Sequence, residues 1–261
     1  MTRDTGKDAI QALASKGAKV MSGDMADPSS LAAPLAGADA VYIVVPGHAD
    51  RTKLSLNALE ACKAASVRFV LMLSVCAADQ KNGEIFADQF RPLEEATKAS
   101  ALKHCIVRLP LFLENIGAQV QSIQGNGQFY TPLEPSKSYN SVSVGDVGEV
   151  CANILLNAEA SDHHGKTYNI VGPTTNETEV AAGLSKSAAK PVEHVKVSYD
   201  ACKQSFVSMG FPEWQADGVV ELLKGINEGV AWSKLPPTDT EFLLGRAPSS
   251  HQDVAAYILP K

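Results

Sequence analysis

The chain has 261 residues, 45% of them hydrophobic, and its formal net charge at pH 7 is −6. This length and apolar content suit one large α/β domain, alone or with a small appendage. The acidic balance and the scattered Lys and Arg residues exclude the clustered positive charge that nucleic-acid and membrane-surface proteins need. We therefore expect neither partner.

The chain also lacks the sequence signals of export and of a transmembrane helix. Its longest apolar run, residues 38–46, is interrupted by Asp39 and is too short to cross a bilayer. The first residues contain no apolar stretch of the kind found in secretory signals. Five widely spaced cysteines without a Cys-x-x-Cys pair argue against disulfides or a zinc site. We expect a cytoplasmic protein with no metal ligands.

Hydrophobic periodicity and Gly, Pro and Asp signals predict strands that alternate with helices. Strands are predicted at residues 18–22, 40–45, 68–74, 104–109 and 167–171. Helices are predicted between them at residues 8–16, 28–36, 50–65, 93–100, 114–124 and 146–157. Residues 125–143 are polar and turn-rich, with little periodicity. Alternation of this kind is typical of βαβ units around a parallel sheet.

The pattern changes after residue 172, where helices are predicted at 177–189, 199–209 and 212–229. We interpret residues 1–172 as a nucleotide-binding α/β domain and residues 173–261 as a mainly helical cap that covers the substrate. Substrates in such folds bind at the open, carboxyl edge of the sheet.

The first strands of this pattern match the third and fourth strands of a dinucleotide-binding sheet. Such a sheet normally opens with a strand, a glycine-rich turn and a helix that holds the pyrophosphate, and no such turn precedes Asp24. The predicted fold is therefore a Rossmann-like α/β sheet, truncated at its N-terminus. The missing strands would leave strands 18–22 and 40–45 to pair directly, or leave the first of them poorly anchored.

Residues at or just after the ends of three predicted strands are candidates for cofactor contact. Asp24 could accept a hydrogen bond from an adenine amino group, with Met25 beside the ring; alternatively it caps the next helix. Val45 and Pro46 could form an apolar wall beside the adenosine, or simply end their strand. Ser74 could face the same crevice, or form an ordinary hydrogen bond at the end of its strand.

These segments together resemble the NmrA-like branch of the atypical short-chain dehydrogenases/reductases. The segments that carry the resemblance are residues 23–31, 35–46, 67–74, 107–116, 142–150, 165–172 and 245–250. The most specific of them is the Arg-x-Pro-x-Phe-x-Glu-Asn run that starts at Arg108 and ends at Asn115. The resemblance extends over nearly the whole chain.

The resemblance implies a cofactor, NADP or NAD, that would be bound weakly or not at all if the N-terminal segment is genuinely absent. It implies that Asp24 and Met25 flank adenine, that Val45 and Pro46 border the adenosine, and that Ser74 faces the nicotinamide. It further implies the following roles at the two ends of the cofactor: Arg3 for a 2′-phosphate, and Pro110, Leu111 and Phe112 as a cover over the nicotinamide.

The chain departs from the catalytic members of the wider superfamily in one further respect. Those enzymes carry Tyr-x-x-x-Lys, or a lone Lys, soon after the strand that bears the serine, whereas this chain has Phe86 and Phe90 there. Neither ring can donate a proton, so we assign no catalytic residue. A literal Tyr-x-x-x-Lys at Tyr199 and Lys203 lies in the C-terminal helices, and we interpret it as coincidental.

These observations favour an NAD(P)H-dependent oxidoreductase that acts on quinone-like or similar small electrophiles. Hydride transfer to a flat acceptor depends more on positioning than on a protein acid, and Phe112, Phe129 and Tyr130 are candidate lining residues. Two alternatives remain open: a non-catalytic NAD(P)-sensing regulator that binds a protein partner, and a fragment that no longer binds cofactor.

Overall fold

The computed structural model describes residues 1–80, 84–158 and 161–259. The chain divides into two compact units, each assembled from three stretches. The first unit comprises Met1–Leu73, Pro92–Ile106 and Leu155–Lys166. The second unit comprises Ser74–Arg91, Val107–Ile154 and Thr167–Lys261. The division at residue 172, which rests on a change in sequence pattern, stays a prediction.

The described residues form helices and strands in regular alternation over the first half of the chain. The α-helices are α1 Asp8–Ser15, α2 Ala32–Leu35, α3 Arg51–Ala64, α4 Ile85–Ala99, α5 Val120–Asn126, α6 Val144–Leu156, α7 Glu177–Ala188, α8 Tyr199–Ser208, α9 Glu213–Glu228, α10 Thr238–Leu244 and α11 His251–Ile258. Short 3₁₀ helices cover Pro28–Leu31, Leu113–Gln119, Ser161–His163 and Ala231–Ser233. The strands are β1 Ala40–Ile43, β2 Phe69–Val75, β3 Lys103–Leu109, β4 Leu111–Phe112, β5 Gln128–Thr131, β6 Tyr139–Val142, β7 Lys166–Asn169, β8 Thr174–Thr175 and β9 Glu193–Lys196.

The largest sheet among the described residues has the strand order β1-β2-β3-β7. β1 and β2 run parallel, with Ile43 opposite Met72. The side chains of residues 69–72 are buried on both faces of the sheet, which explains the uninterrupted apolar sequence of this strand. The predicted α/β class with a parallel sheet is confirmed.

The first unit differs from prediction near its start. In place of a strand at residues 18–22, one isolated parallel bridge joins Ser22 to Thr2. Thr2 donates its N–H to the carbonyl of Met21 at 3.0 Å, and the pairing extends no further than Gly23. The helix α1 contains no buried residue, and Leu13 on it is 52% exposed. The apolar face that the sequence shows here is therefore not buried.

The helix predicted at 28–36 is present but begins with a 3₁₀ turn. The carboxylate of Asp27 accepts hydrogen bonds from the backbone N–H of Ser29 at 3.1 Å and from its hydroxyl at 2.6 Å, as expected of a residue that caps a helix. Leu31 and Leu35 are buried, and Gly37 ends the segment with φ of 72°.

The second unit contains two smaller sheets that the sequence did not indicate. Parallel β5 and β9 form one of them, and β4, β6 and β8 form the other. Residues 125–143, which look like turns in the sequence, contain both β5 and β6. Each of these strands has only four residues, and the partner of β5 lies more than 60 residues away, so no local pattern reveals the pairing.

Two motif carboxylates tie distant segments of the second unit together. Asp146 is buried on α6 and accepts hydrogen bonds from the backbone N–H of Ser249 at 2.6 Å and from the Arg246 guanidinium at 2.8 Å. Glu114 accepts from the backbone N–H of Val144 at 3.0 Å and from the Tyr257 hydroxyl at 2.6 Å. These residues therefore have structural roles: they attach the last helix and the segment before it.

Candidate functional site

In the first unit, Asp24 and Met25 form a turn held by its own hydrogen bonds. One carboxylate oxygen of Asp24 accepts the backbone N–H of Ala26 at 2.8 Å, and the backbone N–H of Asp24 donates to the Ser30 hydroxyl at 2.9 Å. Asn57 on α3 donates its side-chain amide to the carbonyl of Met25 at 2.8 Å. The turn is thus fixed before any ligand arrives, with both side chains partly exposed.

The exit of β1 presents an apolar surface over a buried cation. Val45 is buried while Pro46 is exposed. The guanidinium of Arg51, at the start of α3, donates its Nε–H to the carbonyl of Val45 at 3.3 Å. Burial lowers the pKa of Arg51 to about 10, so the side chain keeps its charge at neutral pH.

Arg3 follows the single bridge at Thr2, and its side chain is exposed to solvent. An exposed guanidinium in this position is free to form bidentate hydrogen bonds to a phosphate group. The role of Arg3 in phosphate binding stays a prediction.

In the second unit, Ser74 lies inside β2 and is completely buried. The sequence predicted that the strand ends at Ser74, but it ends one residue later, at Val75. Pro110, Leu111 and Phe112 follow β3 and are half-buried. Leu111 and Phe112 form β4, which pairs in parallel with β6.

A small cleft of about 30 Å³ lies beside Pro110 and Leu111. Four stretches of the second unit supply its walls: the end of β2, the exit of β3, α9 and the 3₁₀ helix after α9. The described lining residues are Val75, Cys76, Ala77, Leu109, Pro110, Leu111, Leu222 and Trp232. Of these side chains only the Cys76 thiol can ionise, so the cleft suits an uncharged group.

Phe86 and Phe90 are buried. The ring of Phe86 stands edge-on to Trp214, with the centroids 6.4 Å apart. A Cβ on Gly218 would lie 2.9 Å from Phe86, so the ring fits tightly against α9. The two phenylalanines serve packing.

The literal Tyr-x-x-x-Lys of α8 makes structural contacts. The amide of Asn227 donates to the Tyr199 hydroxyl at 2.6 Å, and Lys224 lies 5.3 Å from the centre of the Tyr199 ring. Lys203 forms an ion pair with Asp217 at 2.7 Å. Its side chain is thus engaged with a carboxylate on α9, and these contacts give the pair a place in helix packing.

None of the three aromatic residues proposed as lining is among the described residues that line this cleft. Phe129 is fully buried in an apolar cluster with Ile123, Val180 and Leu184. The hydroxyl of Tyr130 donates to the Gln128 side chain at 2.9 Å. Phe112 remains half-buried after the exit of β3.

Sequence reasoning missed Trp232 and Leu222, which complete the cleft from the C-terminal part of the chain. Leu222 belongs to the periodic pattern of a predicted helix, and nothing local distinguishes it from other packing residues. For Trp232 the sequence offered one signal: a large aromatic residue in the short stretch Gly-Val-Ala-Trp-Ser-Lys that follows a predicted helix.

A buried polar network was also missed. Glu177, at the start of α7, is 1% exposed; it accepts a hydrogen bond from the Thr131 hydroxyl at 2.9 Å and forms a second with the Tyr139 hydroxyl. The same Thr131 hydroxyl contacts Nε2 of His194 at 2.8 Å. Burial raises the pKa of Glu177 to about 7, although both hydrogen bonds act to lower it.

Residues 1–80, 84–158 and 161–259 contain no group of three or more His, Cys, Asp and Glu side chains placed to hold a metal ion. Within the same ranges, every helix is too short or too polar to traverse a lipid bilayer.

Comparison with known proteins adds a family and a fold. A model described as the NmrA-like family matches residues 1–233. The chain is 30% identical over 224 residues to the NAD(P)H azoreductase of Xenophilus azovorans, covering 85% of this chain and 76% of that one. It is 26% identical over 221 residues to quinone oxidoreductase 2 of Escherichia coli (strain K12), covering 84% and 76%.

Among solved structures, the triphenylmethane reductase of Citrobacter sp. complexed with NADP(H) superposes with a TM-score of 0.83. The alignment covers 99% of this chain and 89% of that one, at 22% identity. At this identity the likeness shows a shared fold.

Proposed function

The chain belongs to the NmrA-like family, and we propose that it is an NAD(P)H-dependent oxidoreductase that reduces quinone-like small electrophiles. The observation that carries this proposal is the uncharged cleft beside Pro110 and Leu111, the residues expected to cover the nicotinamide. The named activities of the relatives, an azoreductase and a quinone oxidoreductase, support the same reaction class.

We propose that residues of the first unit contact the adenosine end of the cofactor. In the first unit, the preformed turn at Asp24 and Met25 would receive adenine, and Val45 with Pro46 would border the adenosine. Exposed Arg3 would bind the 2′-phosphate of NADP. These side chains fit that role because they combine a carboxylate, an apolar wall and an exposed guanidinium.

Ser74, which the resemblance predicts to face the nicotinamide, is completely buried inside β2. In the second unit, the exposed parts of Pro110, Leu111 and Phe112 would hold the nicotinamide end. The residues fit this role because half-buried apolar side chains can exclude water from a reacting ring. When bound, the cofactor supplies a hydride, and one proton from water completes the reduction of a quinone to a hydroquinone. The chain's own contribution is to bind and orient both partners.

The first test is cofactor binding, measured by fluorescence titration with NADPH and NADH. Arg3→Ala should weaken NADPH binding about five- to tenfold, as expected for loss of a charge-assisted hydrogen bond at an exposed site, and should leave NADH binding unchanged. Lys7→Ala removes a nearby exposed charge and serves as the matched control. Equal losses for both cofactors would contradict the role of Arg3.

The second test is turnover. NADPH oxidation should require a quinone, and Leu111→Glu, which places a charge at the cleft, should abolish it. Leu156→Glu, at a side chain that is 83% exposed, is the matched control and should keep full activity. Thermal melts of both variants check folding. An active Leu111→Glu enzyme would refute the location of the acceptor site.

One observation favours a second candidate function, a regulator that senses NAD(P) without turning it over. Phe86 and Phe90 are buried and cannot donate a proton, and the family resemblance sets them where catalytic members of the wider superfamily carry Tyr-x-x-x-Lys. This alternative predicts NADPH binding with no oxidation across quinones and azo compounds, together with a change in affinity for a protein partner.

A further inference from the structure

We propose that the Thr131 hydroxyl is a hydrogen-bond relay through which the ionisation of buried Glu177 sets the tautomer of His194. The three side chains come from three elements of the second unit: Thr131 from β5, Glu177 from α7 and His194 from β9. The suggested reduction does not use this network, and no cofactor takes part in it.

The hydroxyl of Thr131 lies at the centre of the network. Its oxygen is 2.9 Å from a carboxyl oxygen of Glu177, 2.8 Å from Nε2 of His194 and 3.2 Å from the backbone nitrogen of Leu133. The Leu133 N–H always donates, so it occupies one of the two lone pairs of the hydroxyl oxygen. One proton and one lone pair are left for Glu177 and His194.

This count links the two remaining partners, because one of them must donate to the hydroxyl and the other must accept from it. An ionised Glu177 can only accept. The Thr131 proton then points at the carboxylate, and His194 donates from Nε2. A protonated Glu177 donates to Thr131, whose own proton then points at His194. In that state Nε2 accepts, and the imidazole carries its proton on Nδ1.

No other described side chain fixes the tautomer of His194. Nδ1 is buried, and within the ranges that the structure describes it has no hydrogen-bond partner. The ring packs against Phe129, with the centroids 5.1 Å apart, which holds the imidazole in place. The contact at Thr131 therefore decides whether Nε2 donates or accepts, and a change there exchanges the proton and the lone pair between the two ring nitrogens.

Two further ionisable side chains belong to the same network. The Tyr139 hydroxyl on β6 forms the second hydrogen bond of Glu177, and burial raises the pKa of Tyr139 well above its usual value, so it stays protonated. His251 on α11 stands edge-on to the Tyr139 ring, with the centroids 6.4 Å apart, and burial lowers the pKa of His251 to about 4. Neither group changes its charge around pH 7.

The remaining charged side chains of α7 and of the two elements packed on it, β9 and α11, are exposed. They are Glu179, Lys186, Glu193, Lys196 and Asp253. Burial raises the pKa of Glu177 to about 7, so this carboxyl group ionises in the neutral range. Burial also lowers the pKa of His194, so the imidazole is neutral in that range and only its tautomer can change.

The change between the two states moves protons and leaves the heavy atoms in place. As Glu177 ionises, its proton passes to the Thr131 oxygen, the original Thr131 proton passes to Nε2 of His194, and the Nδ1 proton is released to water. One proton leaves in total, and His194 is neutral before and after. Because Nδ1 is buried, the release takes place through a local opening. The donors and acceptors that join α7, β5 and β9 thus change with pH.

The test is nuclear magnetic resonance of the full chain with nitrogen-15-labelled histidine, recorded from pH 5 to 9. A long-range proton–nitrogen correlation spectrum distinguishes a protonated ring nitrogen from a bare one. The chain has six histidines, and His194→Gln identifies the signals of His194. As pH rises through about 7, the Nδ1 signal should move to the bare position and the Nε2 signal to the protonated position. An imidazolium that loses its proton changes only one of the two nitrogens, so the two events are distinguished.

Four variants test the relay. Thr131→Val keeps the shape and removes the hydroxyl, and Glu177→Gln removes the ionisation, so both should abolish the opposite movement of the two signals. Thr131→Ser retains a hydroxyl and should retain the movement. Glu179→Gln, at an exposed carboxylate on the same helix, is the matched control and should leave the movement unchanged.

Thermal melts check that each variant folds. The wild-type spectrum decides the proposal even where Thr131→Val does not fold. A His194 tautomer that stays the same from pH 5 to 9 overturns the proposal, and so does an exchange of tautomers that persists in Glu177→Gln.

Discussion

Glu177 offers the sharpest test of how burial controls the energetics of this protein. Its carboxyl group is 1% exposed, and burial raises its pKa from the ordinary value of 4.5 to about 7. Below pH 4.5 the group carries its proton in both the folded and the unfolded chain. Between pH 4.5 and 7 the unfolded chain loses the proton while the folded chain retains it, so the free energy of unfolding falls as pH rises.

The size of this loss follows from the pKa values. One pKa unit corresponds to about 1.4 kcal/mol, so the change from 4.5 to about 7 corresponds to about 3 kcal/mol. Above pH 7 both states are ionised and the penalty stays constant. Glu177→Gln resembles the protonated carboxyl group in shape and cannot ionise, so it should remove the penalty.

The assay is urea denaturation of the wild type and of Glu177→Gln from pH 4.5 to 8. The stability of the variant minus that of the wild type should rise by about 3 kcal/mol as pH increases from 4.5 to 7. The stability difference between the two proteins is used because burial also lowers the pKa values of His194 and His251. These histidines titrate in both proteins, so their contribution cancels in the difference. A difference that does not change with pH would refute the assignment of a raised pKa to Glu177.

Three further outcomes are expected. Burial lowers the pKa of His251 from 6.5 to about 4, so His251→Asn should gain stability over the wild type, by about 2–3 kcal/mol, as pH falls from 7 to 4 in the same denaturation assay; an equal loss in both proteins would contradict this. Asp146→Asn replaces one buried carboxylate oxygen, which accepts hydrogen bonds, by an NH₂ donor, and should lower the free energy of unfolding by about 2–3 kcal/mol. The control Glu149→Gln weakens only a half-exposed ion pair and should lower it by less than about 1 kcal/mol. A Cβ on Gly172 would lie 2.4 Å from a backbone carbonyl oxygen of β6, so Gly172→Ala should lower the free energy of unfolding by about 1–3 kcal/mol and reduce the melting temperature. The control is Gly148→Ala on α6, where the added Cβ meets open space and should leave the melting temperature unchanged or raise it.

Much of the fold could be predicted because local sequence patterns indicate its helices and strands. β2 is a run of apolar residues with both faces buried, and α6 follows a period of 3.6, with Val147, Val150 and Ile154 buried on one side. The helix start at Asp27 and Pro28 was visible because capping depends on neighbouring residues alone. These signals act over a few residues, so the sequence carries them directly.

Other elements could not be predicted because their stability depends on distant partners. The four residues of β5 pair with β9, which follows more than 60 residues later. Residues 18–22 show the opposite case. Their sequence is suited to a strand, but they form only the isolated bridge between Thr2 and Ser22, because the neighbouring segment is short.

By itself, the sequence determined the family, the α/β class and the set of residues expected to meet the cofactor, because motifs and periodicity are local properties. Only the tertiary structure decided which side chains share a cleft. It placed Trp232 and Leu222 beside Pro110, and it enclosed Glu177 so fully that its proton is retained to about neutral pH. Burial results from the packing of segments that lie far apart in the chain. For that reason the raised pKa of a carboxyl group, or the lack of a partner for an indole N–H, cannot be read from local sequence.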